Sequence, residues 1–132
     1  MVLVDTNVLL DVLADDAEWA DWSESQLQAA SVTDTLAINA IIYSELSIAF
    51  ERIEELEAVI TQASLTVEPI PREALFLAGK AFLSYRRRQG RKHGVLPDFY
   101  IGAHASVMQW PLLTRDVARY RNYFPTVQLI AP

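Results

Sequence analysis

Met1-Val2-Leu3-Val4-Asp5-Thr6-Asn7-Val8-Leu9 opens the chain, and its reading sets the fold class. Met1 to Val4 is a short apolar run of the kind that forms a strand buried on both faces. Asp5, Thr6 and Asn7 follow, and all three are residue types that cap helices or make turns. Val8, Leu9, Val12 and Leu13 then recur at helical spacing. A buried strand that leads directly into a helix is the first half of a strand–helix–strand unit.

The same alternation continues outward from this stretch. A helix is expected over Ala17 to Ala30, from Trp19, Trp22 and the Leu27–Ala30 end. Leu36-Ala37-Ile38-Asn39 reads as a second strand and Ile41 to Phe50 as an apolar helix. Ile53, Leu56, Val59 and Ile60 mark another helix, with Glu54, Glu55 and Glu57 on its solvated face. Leu65 to Ile70 is a third candidate strand, and Pro71 is placed to begin a helix through Leu75, Ala78, Phe82 and Tyr85. Gln89 to Pro97 is expected to be a loop. Asp98 to Trp110 returns to helix, Leu112-Leu113-Thr114 is strand-like, Val117 to Tyr123 is a short helix, and Val127 to Ile130 is a last strand. This alternation predicts an α/β fold: a three-layer α/β/α sandwich with a central parallel sheet of about five strands. With no repeat or linker in its 132 residues, the chain is expected to form one domain, 1–132. In such sheets the functional crevice lies at the carboxyl ends of the strands.

Composition narrows the chemistry. The absence of cysteine removes disulfide frameworks, zinc–thiolate sites and thiol nucleophiles, and His93 and His104 leave little scope for histidine-based metal binding. No apolar run reaches the length of a membrane span and no signal-peptide pattern heads the fold, so a soluble cytoplasmic protein with no membrane partner is expected. The net charge of −6 is unevenly spread. Residues 1–66 carry thirteen Asp or Glu against Arg52 alone, a balance of −12, whereas residues 67–132 carry four acids against ten bases, a balance of +6. The total argues against general nucleic-acid binding, and the basic half argues that one face can hold an anion.

Four acids stand out by position. Asp5 follows the first strand and Asp116 follows Leu112-Leu113-Thr114, so both sit at strand carboxyl ends. Taken singly, each reads as an ordinary cap. Glu45 has Ile41, Ile42, Ile48 and Ala49 one turn away on either side, which predicts a carboxylate on an apolar stripe with only Arg52 nearby as a partner. Asp98 begins a helix whose Ile101, Ala105 and Met108 continue its line; a first-turn acid favoured by the helix dipole is the competing reading. The set says more than its members. Carboxylates about 4 Å apart repel by roughly 4 kcal/mol at an effective dielectric of 20. A converging cluster persists by holding protons or cations, and all-oxygen ligands suit Mg²⁺ or Mn²⁺. Metal-assisted hydrolysis of a phosphodiester is the chemistry that follows.

The motifs around these acids resemble those of PIN-domain nucleases. Val4-Asp5-Thr6-Asn7-Val8-Leu9-Leu10-Asp11 is similar to the opening motif of that family, and Ile41-Ile42-Tyr43-Ser44-Glu45-Leu46 to its second. Leu96-Pro97-Asp98-Phe99-Tyr100-Ile101-Gly102-Ala103-His104-Ala105 resembles the third and Leu112-Leu113-Thr114-Arg115-Asp116-Val117-Ala118-Arg119-Tyr120 the last. Length and spacing resemble the VapC toxins of toxin–antitoxin pairs over essentially the whole chain. The resemblance implies an Mg²⁺-dependent endoribonuclease that cuts RNA through metal-activated water, leaving 3′-hydroxyl and 5′-phosphate ends. It implies Asp5, Glu45, Asp98 and Asp116 as the catalytic acids, with Asp5, Asp98 and Asp116 on the metal and Glu45 positioning a ligand or water. Thr6, Asn7 and Thr114 would be supporting polar residues. It also implies a cognate VapB-like antitoxin that blocks the pocket, a homodimer, and a toxin–antitoxin hetero-oligomer that meets operator DNA only through the antitoxin.

Arg86, Arg87, Arg88, Arg91 and Lys92 lie a few residues before Asp98 and are expected to grip RNA phosphates; a solvated helix end is the alternative use. Arg115, Arg119 and Arg121 compete for the same task. His104, six residues after Asp98, is expected to be structural, and Trp19, Trp22 and Trp110 to pack in the core or an interface. Two other classes remain. A phosphoacceptor signalling domain would also place acids at strand ends but would want a lysine near the last strands, where only Lys80 and Lys92 are available. A non-catalytic PIN-fold interaction module would be expected to have lost a pocket acid, and none is lost.

Overall fold

The computed structural model describes residues 1–88 and 96–132. β1 (Val2–Val4) is buried throughout and passes directly into α1 (Thr6–Leu13). Then come α2 (Ala20–Thr33), β2 (Leu36–Ile38), α3 (Ala40–Ser47), α4 (Ile53–Gln62), β3 (Thr66–Val67), α5 (Arg72–Arg87), α6 (Leu96–Met108), β4 (Leu112–Leu113), α7 (Val117–Tyr123) and β5 (Leu129–Ile130). The strands form a five-stranded sheet in the order β3-β2-β1-β4-β5, and every neighbouring pair is parallel. Leu3 is in register with Ala37 on one side and Leu112 on the other. With the helices on its faces, this is the three-layer α/β/α architecture expected from the sequence.

The strand order places a topological switch point between β1 and β4. The chain steps one way from β1 through β2 to β3, then returns to the other side of β1 for β4 and β5. Connections at the carboxyl ends of β1 and β4 therefore diverge and leave a crevice there. Asp5 and Asp116 lie on the two connections that bound it.

Element boundaries depart from the sequence expectations for local reasons. Asp16 Oδ1 accepts the Glu18 and Trp19 N–H groups at 2.9 Å each, so a capped turn precedes α2 and delays its start to Ala20. Asn39 is not strand: its Oδ1 accepts from the N–H groups of Ile41 and Ile42 at 3.1 and 3.0 Å and caps α3. The helix expected to reach Phe50 ends at Ser47, where Ile48, Ala49 and Phe50 tighten into bonds to carbonyls three residues back. β3 is two residues long instead of six, because Pro69 offers no N–H to continue a ladder whose last bond is Glu68 N–H to the Ile38 carbonyl. Leu96 and Pro97 are helical rather than loop; a proline in the first turn forfeits no helical bond. The rest of the expected 89–97 loop lies outside the described residues.

Leu3, Val4, Ile38, Ile42, Phe99, Ile101, Leu112, Leu113 and Tyr120 are all fully buried. Burial of each large side chain contributes about 1.5–3 kcal/mol. An aromatic group of Phe82, Tyr85, Phe99, Tyr123 and Phe124 joins α5, α6 and α7, with neighbouring ring centroids 5.2–6.4 Å apart. α6 and α7, which carry Asp98 and Arg119, are thus held to one rigid body.

Candidate active site

Asp5 is the most constrained of the acids. It caps α1 through Oδ1, which accepts the Thr6 N–H at 2.8 Å. Its Oδ2 accepts from the Thr114 hydroxyl at 2.7 Å, the Tyr120 hydroxyl at 3.0 Å and Asn7 Nδ2 at 3.3 Å. Only 3% of the residue is exposed. Burial pushes its carboxyl pKa up to about 6; the Thr114 bond opposes the rise and the charge of Asp98 adds to it. Even four donors do not make up for the water this carboxylate has lost, and no cation touches it among the described residues.

The other three acids surround it. Thr6, next to Asp5, donates from its hydroxyl to Glu45 Oε1 at 2.6 Å. Glu45 is half-buried, not sunk in an apolar stripe: α3 stops before Ile48, which is 87% exposed. Arg52 does not serve it and pairs with Glu54 instead. Asp98 lies in the first turn of α6, half-buried, and accepts a hydrogen bond from Arg119 Nη1. Burial raises the Asp98 pKa, the bond and charge of Arg119 lower it, and the charges of Asp116 and Glu45 raise it. Asp116 is more open than Asp5 and Asp98, and its side chain makes no cap bond to α7. The reading of Asp116 as an ordinary cap therefore fails, whereas Asp5 both caps and joins the cluster. Asp98 feels the charges of Glu45 and Asp116 and presses on Asp5 in turn, so the four acids share one electrostatic neighbourhood at the strand ends.

Thr114 ties this neighbourhood together. Its hydroxyl donates to Asp5 Oδ2 and accepts the Asp116 N–H at 3.0 Å. Asn7 does the same on the other side, donating from Nδ2 to Asp5 and accepting the Arg115 N–H on Oδ1 at 3.2 Å. Asn7 and Thr114 thus bridge the end of β1 to the turn after β4, while Thr6 turns to Glu45.

The donor chemistry fits a hard divalent cation: carboxylates and hydroxyls, with no sulfur and no imidazole. The raised Asp5 pKa marks negative charge short of positive compensation. Among the described residues no three Asp, Glu or His side chains are drawn tightly enough together to hold an ion as they stand. Asp98 Oδ2 is engaged by Arg119.

Several partners of the site escape sequence reasoning. Tyr120, buried below the pocket, supplies a donor to Asp5, and its own pKa is raised by burial and by the nearby carboxylates. Arg115 is withdrawn from the competition for phosphate. Its Nε and Nη2 donate to the two oxygens of buried Asp11 at 2.7 and 2.8 Å, Ser23 adds a third bond to Asp11, and the guanidinium lies 4.9 Å from the Trp19 ring centroid. This clamp fixes α1, α2 and the turn carrying Asp116. His104, fully buried against Asn39 and Trp110, is structural as expected. Arg86, Arg87 and Arg88 are exposed at the end of α5, with Arg88 5.7 Å from the Tyr123 ring centroid on α7. Arg91, Lys92 and His93 lie outside the described residues.

The fold is shared with several solved structures. The chain is similar to a chain in the structure of VapBC2 from Rickettsia felis bound to a promoter DNA fragment, at TM-score 0.76 and 17% identity over 100% of this chain and 99% of that one. It is also similar to a chain of DNA-bound VapBC from Salmonella typhimurium, at TM-score 0.72 and 17% identity over 98% and 96% of the two chains. For VapBC-1 from nontypeable Haemophilus influenzae the values are 0.72 and 18%, over 99% and 98%. At these identities the likeness is one of fold. No curated protein matches the sequence. The PIN domain family model matches residues 2–124, nearly the entire chain and all four acids, and on that match the protein belongs to the PIN domain family.

Proposed function

We propose that the protein is a divalent-metal-dependent endoribonuclease, the VapC-type toxin of a toxin–antitoxin pair working in the cytoplasm. The observation that carries the reading is the shared neighbourhood of Asp5, Glu45, Asp98 and Asp116 at the switch point, with Asp5 buried and under-compensated. PIN domains are generally nucleases, and the likeness to VapBC structures supports the toxin assignment.

Asp5, Asp98 and Asp116 would hold Mg²⁺ or Mn²⁺. When bound, such an ion lowers the pKa of a coordinated water toward neutrality and neutralises charge on the phosphate. Thr114, Tyr120 and Asn7 fix the Asp5 carboxylate that would hold the ion. Thr6 fixes Glu45, which would position a ligand or the attacking water. The exposed arginines at the end of α5 would hold the RNA backbone against the repulsion of the acids. A cognate VapB-like antitoxin would silence the pocket by covering it, and operator DNA would be met through that antitoxin. A homodimer within a toxin–antitoxin hetero-oligomer is the expected assembly.

The test is cleavage of end-labelled RNA with Mg²⁺ or Mn²⁺ by the wild type, Asp5→Asn and Asp98→Asn. Loss of a direct ligand should lower the rate at least about 100-fold, more than the loss typical of a supporting residue. EDTA should abolish wild-type cleavage. Cleavage that survives EDTA, or survives both substitutions, sinks the metal-nuclease reading.

A further inference from the structure

Arg119 is the charged residue at the site that this reading leaves without a task. It projects from α7 with 18% of its side chain exposed, donates through Nη1 to Asp98 Oδ2, and stands 4.0 Å from Asp116 Oδ2. Among the described residues it is the one cation paired with any of the four acids. Its neighbour Arg115 shows what a permanent pair looks like in this fold: two nitrogens on two oxygens of a buried Asp11, with a serine and an indole closing the arrangement. Arg119 by contrast holds through one nitrogen an Asp98 whose side chain is 25% exposed, against 4% for Asp11.

The Oδ2 that Arg119 engages is one of the two Asp98 oxygens a divalent ion would draw on. A guanidinium and a dication cannot both sit on Asp98 Oδ2, and at that separation their like charges repel through a weakly screened pocket. The arginine side chain is long and flexible, so departure from Asp98 needs only rotations about its own bonds.

We propose that Arg119 is the resident counter-ion of the acidic pocket: it holds Asp98 and Asp116 in the metal-free protein and turns away from Asp98 when a divalent cation binds. Arg119 is thus a positioning residue that sets metal affinity through Asp98. The proposal rests on the metal-site reading above. It explains why the acids are gathered in charge yet do not form a ready-made cage. It also gives the pocket a positive charge that is freed at the moment a phosphate needs one.

The experiment is Mn²⁺ binding by calorimetry on the intact protein, free of RNA, for the wild type, Arg119→Gln, Arg119→Lys, Asp98→Asn and the Asp98→Asn/Arg119→Gln pair, with folding verified by circular dichroism. Arg119→Gln should bind Mn²⁺ about tenfold tighter than wild type, within the usual range of couplings between competing ligands. Arg119→Lys, which keeps the charge, should stay near wild type. In the Asp98→Asn background the same Gln substitution should have no effect, because the contested carboxylate is gone. Wild-type binding with no gain in Arg119→Gln overturns the competition and leaves the metal site standing; so does an equal gain with and without Asp98. Absence of Mn²⁺ binding in the wild type and Arg119→Gln alike overturns both.

Discussion

His104 carries a proton that the fold leaves without an acceptor. Its Nδ1 lies 3.1 Å from Asn39 Nδ2, and Asn39 Oδ1 is already engaged by the Ile41 and Ile42 N–H groups. The amide nitrogen therefore donates to Nδ1, which puts the ring proton on Nε2. Nε2 is buried and has no hydrogen-bond partner among the described residues. Burial pushes the His104 pKa below its ordinary 6.5. The sign follows directly: as pH falls through 6.5 the unfolded chain takes up a proton that the folded chain refuses, so the unfolded state binds more protons and stability drops. The contribution is complete above pH 6.5 and is lost below it, toward the folded pKa. Asp5, whose carboxyl is raised to about 6, acts in the opposite sense between pH 7.5 and 5, so the His104 effect is read as a difference: on acidification the urea midpoint of the wild type should drop relative to that of His104→Gln, and parallel profiles would assign the acid sensitivity to other groups. The same residue marks the border of what sequence reveals. Asp5, Glu45, Asp98 and Asp116 drew notice as a set: Asp5 and Asp116 taken singly read as ordinary caps and Asp98 as a first-turn acid, and only Glu45 stood out among apolar neighbours. The groups that tune them are ordinary residue types whose meaning comes from distant partners: Tyr120 reaches Asp5 across 115 positions and Arg119 reaches Asp98 across 21. Arg119 could be named as a candidate for phosphate, but nothing in its neighbours in the sequence says that it faces an acid.

Between α6 and α7, one missing side chain sets the spacing of the site. A Cβ on Gly102 would stand 2.3 Å from Phe124 Cδ2 and 2.5 Å from Cε2, closer than any real contact. Phe124 is 3% exposed and packed on Phe99, so its ring has nowhere to retreat without moving the end of α7. Gly102→Ala should therefore destabilise by about 1–3 kcal/mol through overpacking, against the roughly 1 kcal/mol that alanine ordinarily gains in a helix. Gly79 on α5 provides the contrast, since nothing lies within 4 Å of its Cβ position. Gly79→Ala should stabilise by about 0.5–1 kcal/mol. Opposite shifts in thermal midpoint would confirm that the α6–α7 contact, rather than glycine itself, is decisive; matching shifts would refute it. At this scale the strand–helix alternation was readable, and so was the parallel sheet, because apolar runs and helical spacing are properties of contiguous sequence. The ends were not. Asp16 and Asn39 spend their side chains on caps, and Pro69 halts β3, each a choice between two uses of one residue that only the surrounding hydrogen bonds decide.

Over the whole molecule, charge is segregated in a way that the net value of −6 conceals. Most of the acids lie in the first half, and ten of the eleven Lys and Arg residues lie after position 66. The structure then divides those bases by task. Arg115 is locked to Asp11, and Arg119 is paired through one nitrogen with Asp98. Arg86, Arg87 and Arg88 remain exposed, and Arg88 rests over Tyr123 on the helix that begins at Asp116. At 1.5 Å per residue, the seven steps from Asp116 to Tyr123 span about 10 Å, or one to two nucleotides of extended backbone. An RNA strand gripped at the end of α5 would thus run along α7 to the acids. Each phosphate neutralised on a single strand contributes about 0.7 to the slope of log affinity against log salt, so removal of three contacts should flatten the slope by about 2. Arg86→Ala/Arg87→Ala/Arg88→Ala should therefore bind a non-cleavable RNA analogue more weakly at low salt, with affinities that converge on wild type as salt rises. Mn²⁺ affinity should stay unchanged, because none of the three touches an acid of the pocket. A salt slope equal to wild type would mean that the RNA approaches from another face. A flattened slope with intact metal binding would separate the grip of the second half from the chemistry at the strand ends.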